Sequence, residues 1–152
     1  MLRKSMLPLC LAAAALATAG CRVHVRATVE PIPVYVEGER NDRRLEKAGW
    51  EKLGERTVDG RVDVDTIPVG RAEGRFNRLL LMVEHSDLEM YDVDVEFVDG
   101  THFSPNVRHV FKENSRTRSI DLPGKNRAIR SVRFKYGNLP GGGAAQIELW
   151  AR

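Results

Sequence analysis

Between Tyr91 and Phe97 the chain alternates strictly. Tyr91, Val93, Val95 and Phe97 fall on one face of an extended segment, and Asp92, Asp94 and Glu96 fall on the other. Such a strand has a dry side and a wet side. It runs into Asp99-Gly100, a dipeptide that signals a hairpin when it lies between two such segments. Upstream, the apolar run Leu79 to Val83 meets a polar corner, His85-Ser86-Asp87. The stretch from Phe76 to Phe103 therefore reads as the middle of an antiparallel sheet, with the rest of the chain laid beside it.

Eight strands are expected: Trp50–Val58, Arg61–Val69, Arg75–Glu84, Glu89–Val98, Thr101–Phe111, Thr117–Leu122, Ala128–Tyr136 and Ala145–Ala151. Turn residues separate them: Asp59-Gly60, Gly70 to Gly74, Ser86-Asp87, Asp99-Gly100, Glu113-Asn114, Pro123-Gly124 and Asn138 to Gly143. Short strands at this spacing, without a helical stripe, predict an all-β fold. The expected form is a single antiparallel β-sandwich, jelly-roll-like, over residues 49–152. Only Asp42 to Leu53 has a helical character. The glycine-rich stretch Leu139 to Gly143 lacks the Lys-Ser/Thr pair of a phosphate loop and reads as a connection between strands.

The first twenty residues bear on compartment. Arg3 and Lys4 form a basic start, and Met6 to Ala19 is an apolar run of signal-peptide length, short of the roughly 20 residues that span a bilayer. Ala17-Thr18-Ala19-Gly20-Cys21 then resembles a lipobox, which would make Cys21 the acylated first residue of the mature chain. Ala17-Thr18-Ala19 is also an A-x-A site for ordinary cleavage after Ala19. Both readings export the protein. Residues 21–48, with Pro31, Pro33 and the charged run Glu37 to Lys47, read as an extended tether. An edge strand at Val34 to Val36 is the alternative.

Export changes the charge argument. The whole chain carries 24 basic and 21 acidic residues, but Arg3 and Lys4 leave with the signal, and the remainder is almost neutral. That balance does not suit nucleic acid. Of the two cysteines, Cys10 is removed and Cys21 is terminal. The folded part therefore has no disulfide, thiol nucleophile or thiolate metal site. None of the four histidines forms an H-x-H or H-E-x-x-H pair, and no cofactor or metal is expected. Asp59, Asp63 and Asp65 have spacing compatible with calcium, but the EF-hand register is absent. They read better as a solvated face with Val62 and Val64 turned inward.

The remaining candidates are binding residues. His85-Ser86-Asp87 names the triad types, yet three neighbours in a corner point in different directions. In the last strand Ile147, Leu149 and Ala151 share one face, which puts Trp150 on the outer one as a candidate sugar-stacking platform. Charge is also unevenly placed. Residues 50–100 hold 6 basic and 13 acidic side chains, and residues 101–152 hold 10 basic and 3 acidic. Arg116, Arg118, Arg127, Arg130, Arg133 and Lys135 crowd the later strands. They suggest a basic surface for an anionic partner, or else cross-strand pairing with Asp92, Asp94 and Glu96.

The pattern Ile67-Pro-Val, Phe76-x-Arg-Leu, Ser86-Asp87-Leu88-x-Met90 and Ile129-x-Ser-Val-x-Phe134, followed by a short last strand, resembles a family of small exported bacterial proteins catalogued as a domain of unknown function. The resemblance covers about Leu53 to Leu149 and implies a compact β-sandwich outside the cytoplasm, with no catalytic residues to carry over. The expectation is a non-enzymatic envelope lipoprotein, held to the membrane by its lipid, that acts as a binding or accessory interaction module of unknown ligand, with an envelope protein as one candidate partner. Carbohydrate or peptidoglycan binding through Trp150 or Tyr91 is the alternative, and a hydrolase using Asp92 and Asp94 is a lesser one.

Overall fold

The computed structural model of the chain describes residues 24–26, 34–36, 42–58, 62–138 and 143–152. Two six-stranded sheets make up the fold. The first runs β1 (His24–Arg26), β7 (His102–Ser104), β6 (Leu88–Phe97), β11 (Ile129–Asn138) and β4 (Asp63–Pro68), with β8 (His109–Phe111) also on β6. The second runs β2 (Val34–Val36), β9 (Ser115–Thr117), β5 (Arg78–Glu84), β12 (Ala145–Ala151) and β3 (Glu51–Val58), with β10 (Ile120–Asp121) on β5. Every pairing is antiparallel except β1 with β7. This is a β-sandwich.

The inner faces meet in one core. Leu79, Leu81 and Val83 of β5 and Ile147, Leu149 and Ala151 of β12 pack with Val93, Val95 and Phe97 of β6 and Val132, Phe134 and Tyr136 of β11. The alternation in β6 is interrupted once. Lys135 pairs with Asp92, but Tyr136 pairs with Met90, so Tyr91 is the extra residue of a β-bulge and is half-buried outside the core. Met90 takes its place inside. The Asp99-Gly100 turn forms as the sequence indicates, with Gly100 at φ 83 and its N–H donating to Phe97 O at 2.9 Å.

The run Leu79 to Val83 is apolar throughout because its strand is covered on both sides. Leu80 and Met82 face outward from the sandwich, where Leu45, Trp150 and the edge of Trp50 close over them as a second, smaller core. Leu45 belongs to helix α1 (Asp42–Lys47). Asp42 in its first turn and Arg44 and Lys47 in its last suit the helix dipole. Gly49, at φ 80, ends it, with Gly49 N–H donating to Glu46 O and Trp50 N–H to Leu45 O.

Two expectations are corrected here. Residues 21–48 are not an extended tether throughout. Val34–Val36 pairs with β9, the short segment His24–Arg26 pairs with β7, and α1 packs on the second sheet. One apolar residue in the charged run, Leu45, is enough to anchor it because the two tryptophans complete its pocket. The phase of β4 is also the reverse of the expected one. Val62 and Val64 are 60% and 51% exposed, while Asp63 and Asp65 are half-buried and Ile67 is in the core. Ile67 fixes the register, and the Tyr136 hydroxyl donates to Asp65, which satisfies the inward carboxylate. Asp59 lies outside the described residues.

A basic cleft at one end of the sandwich

Three connections converge at one end of the molecule. After Pro68, the chain turns through Gly70 (φ 87), a single 3-10 turn at Arg71–Glu73, and Gly74 (φ 106). Val69 and Gly70 N–H both donate to Arg130 O, which pins the start of this loop to β11. Phe76 and Arg127 then exchange two backbone hydrogen bonds of 2.9 Å. The second wall is the Pro123–Ala128 loop. Asn126 takes a positive φ there, and its N–H donates to the Asn77 side chain at 2.7 Å. The floor is the Val98-Asp99 turn. Between these walls is a cleft of about 630 Å³, lined by Arg71, Arg75, Lys125, Arg127 and Asp99 among others.

Four cations therefore face one carboxylate, and that carboxylate is already engaged. Arg127 stacks its guanidinium 3.6 Å from the centre of the Phe97 ring and donates to Asp99 at 2.5 Å, to the Thr101 hydroxyl and to Pro123 O at 3.4 Å. Asp99 also accepts from the Thr101 hydroxyl at 2.6 Å and the Thr101 N–H at 3.0 Å. These two bonds, then Arg127, hold its carboxyl down to about 2. Arg127 is thus a clasp that closes the floor. Arg71, Arg75 and Lys125 are exposed and carry no ion pair among the described residues. Arg75 makes a single bond, to Asn126 O at 3.0 Å.

The sequence-derived candidates do not assemble into one surface. Arg130 lies 3.6 Å from Glu96 and donates to Val98 O, and Arg133 lies 4.0 Å from Asp94. Lys135 stands opposite Asp92 in the register. The acidic face of β6 and the basic face of β11 are thus neighbours in the same sheet, and cross-strand pairing accounts for their charge. Arg116 sits on the second sheet opposite Met82, half-buried, and Arg118 is exposed just beyond it. Of the five arginines Arg116, Arg118, Arg127, Arg130 and Arg133, Arg127 alone lines the cleft.

Trp150 does stand on the outer face of its sheet, but it is 1% exposed beneath α1 and cannot serve as a stacking platform. Its Nε1–H donates to Glu148 at 3.0 Å. Glu148 is fully buried and accepts from Lys52 at 2.5 Å. Burial works against the Lys52 ammonium, but Glu148 and Glu55 outweigh it and hold its pKa above the usual lysine value. Asp42, Glu84 and Glu148 bring carboxylate oxygens within 4.8 Å of one another, with Lys52 supplying a cation beside them. In the His85-Ser86-Asp87 corner, Ser86 accepts from Gly143 N–H, and Asp87 accepts from Lys112 and from Glu113 N–H. His102 is held at 2.9 Å by Asp94, which also accepts from Ser104.

A family model matches residues 34–151, from the start of β2 to the last residue of β12. The chain belongs to the family described as "Domain of unknown function (DUF2541)". The DUF2541 span takes in β2 and α1, in agreement with their place in the sheets and the second core. No curated protein and no solved structure matches the chain. The description of DUF2541 assigns no activity, so the candidate site of this member rests on geometry. Sequence reasoning missed Arg71, Arg75 and Lys125. The available signal was that two arginines lie between and beside Gly70 and Gly74, and that Pro-Gly-Lys-Asn is a second turn. Only the fold brings the two turns together.

Proposed function

We propose that this DUF2541 member is an exported lipoprotein, acylated at Cys21, whose folded domain binds an anionic group in the cleft of Arg71, Arg75 and Lys125. The observation that carries the reading is that three cations grouped around one concavity have no carboxylate partner among the described residues. Exposed Arg78 pairs with Asp121 at 3.0 Å and Lys112 with Asp87 at 2.7 Å, whereas these three cations share one cleft without an ion pair among the described residues. Arginine at two of the three positions favours an oxyanion that accepts forked hydrogen bonds, such as a phosphate, sulfate or carboxylate. The cleft residues include no nucleophile with a base in reach, so the proposed role is binding, without turnover.

Titration calorimetry with dextran sulfate, against neutral dextran, tests the anion reading. Saturable heat with the sulfated polymer only, weakened by Arg71→Glu with Lys125→Glu, is the expected result. Equal responses to the two polymers would end it. Incorporation of labelled palmitate, lost in Cys21→Ser, tests the acylation separately.

A further inference from the structure

We infer that the cleft end of the sandwich lies against the bilayer and that the cleft receives the headgroups of anionic phospholipids. This rests on the acylation of Cys21 proposed above and gives the anion of that site a source.

The direction of β1 carries the argument. With β7 it forms the one parallel pair among the described strands, and its register sets His24 opposite His102 and Arg26 opposite Ser104. His102 in turn pairs with Glu96, one residue before β6 ends at Phe97. The chain therefore enters β1 at the level of the Val98-Asp99 turn and runs away from it. That turn is the floor of the cleft. Cys21 precedes His24 by three residues, so at most roughly 10 Å of chain separates the two. Between β1 and β6 lies only β7, a lateral distance of roughly 10 Å. A lipid on Cys21 is thus held at the same end as the cleft and close beside it. A tether of twenty-odd residues would leave the domain free to turn, whereas this short leash does not.

Charge agrees with that placement. Around the cleft, Asp99 is matched by Arg127, Glu96 by Arg130 and Asp121 by Arg78, which leaves Arg71, Arg75 and Lys125 lining it against one exposed carboxylate, Glu73, in the same 3-10 turn as Arg71. At the opposite end, the β5–β6 corner and the Glu113 turn present Asp87, Glu89 and Glu113 with Lys112. Attraction between cations and an anionic leaflet fades beyond roughly 8 Å at physiological salt, so it acts only on groups held near the surface. The anchor holds these three there. A cleft of about 630 Å³ is roomy enough for a glycerophosphate headgroup, with guanidinium groups on its phosphate oxygens.

The test uses the whole chain after the signal peptide with Cys21→Ser, so that no lipid supplies the affinity. It is sedimented with vesicles of phosphatidylcholine alone or mixed with phosphatidylglycerol. Retention on the mixed vesicles should exceed that on phosphatidylcholine by on the order of a hundredfold, for three cations at the surface. Arg71→Glu with Lys125→Glu should abolish the difference, while the charge-matched pair Arg118→Glu with Arg133→Glu should keep it. Equal retention on both vesicles, or equal loss in both reversals, would overturn the proposal. Binding of soluble glycerol phosphate without retention on vesicles would also overturn it and leave the anion cleft standing. Palmitate labelling of the wild type reads the anchor independently, and its absence removes the proposed orientation.

Discussion

A methyl group at position 54 would sit 2.8 Å from Ile67 Cγ2, and Ile67 is 1% exposed. Gly54 is where β3 passes over the residue that sets the phase of β4. Gly54→Ala should therefore cost about 1–3 kcal/mol in denaturant unfolding, as overpacking does. This also explains why β4 was misread from its pattern. The alternation of Val62 and Val64 with Asp63 and Asp65 favours valines inward, and Ile67, on the face of the aspartates, overrides it together with the close approach of Gly54. Lys52 makes a second residue-scale prediction. Removing its ammonium in Lys52→Met leaves Glu148 buried without a cation and should cost about 3 kcal/mol, only part of it recovered by adding Glu148→Leu, because the buried Trp150 Nε1–H then loses its acceptor. Asp99 makes a third. Its carboxyl is held near about 2, below its unfolded value, by Thr101 and then Arg127. Its contribution to stability is thus present above roughly pH 4 and lost as pH falls towards 2. An NMR titration of Asp99 should show the low midpoint, and Thr101→Val should raise it.

Among the elements, α1 is the one whose removal has the clearest readout. Leu45 is its only buried side chain, and it closes the pocket over Leu80, Met82 and Trp150. Leu45→Ala should destabilise by about 2–4 kcal/mol and move tryptophan emission to longer wavelength, since Trp50 and Trp150 are the only two reporters. Unchanged emission would mean that the helix does not cover Trp150. The central strands were legible from the sequence because alternation and turn residues agree there. The helix was harder to read: a six-residue element with one apolar anchor leaves no periodicity, and its sheet partners Leu80, Met82 and Trp150 lie far along the chain. The same limit applied to Thr101–Phe111, one run in the sequence but two strands in the structure. Pro105 lacks the N–H to continue the ladder, and both halves, β7 and β8, return to β6.

At the scale of the whole molecule, the uneven charge of the two halves of the sequence does not become two surfaces. β6 and β11 lie side by side, and Asp94 meets Arg133 while Glu96 meets Arg130. Reversing Arg130 or Arg133 would therefore perturb sheet pairing by well under roughly 1 kcal/mol each and would say nothing about a partner. Three cations without an ion pair among the described residues are gathered instead where three loops meet at one end, which no linear count of residues locates. That end is also where the chain arrives from Cys21, and the account holds that the two facts belong together. Hydrogen–deuterium exchange of the acylated protein on phosphatidylglycerol-containing vesicles tests this most directly. Exchange should slow at residues 70–75 and 123–128 relative to phosphatidylcholine vesicles and stay unchanged at residues 85–87 and 112–114. Slowing at the latter end, or at neither, would contradict the account.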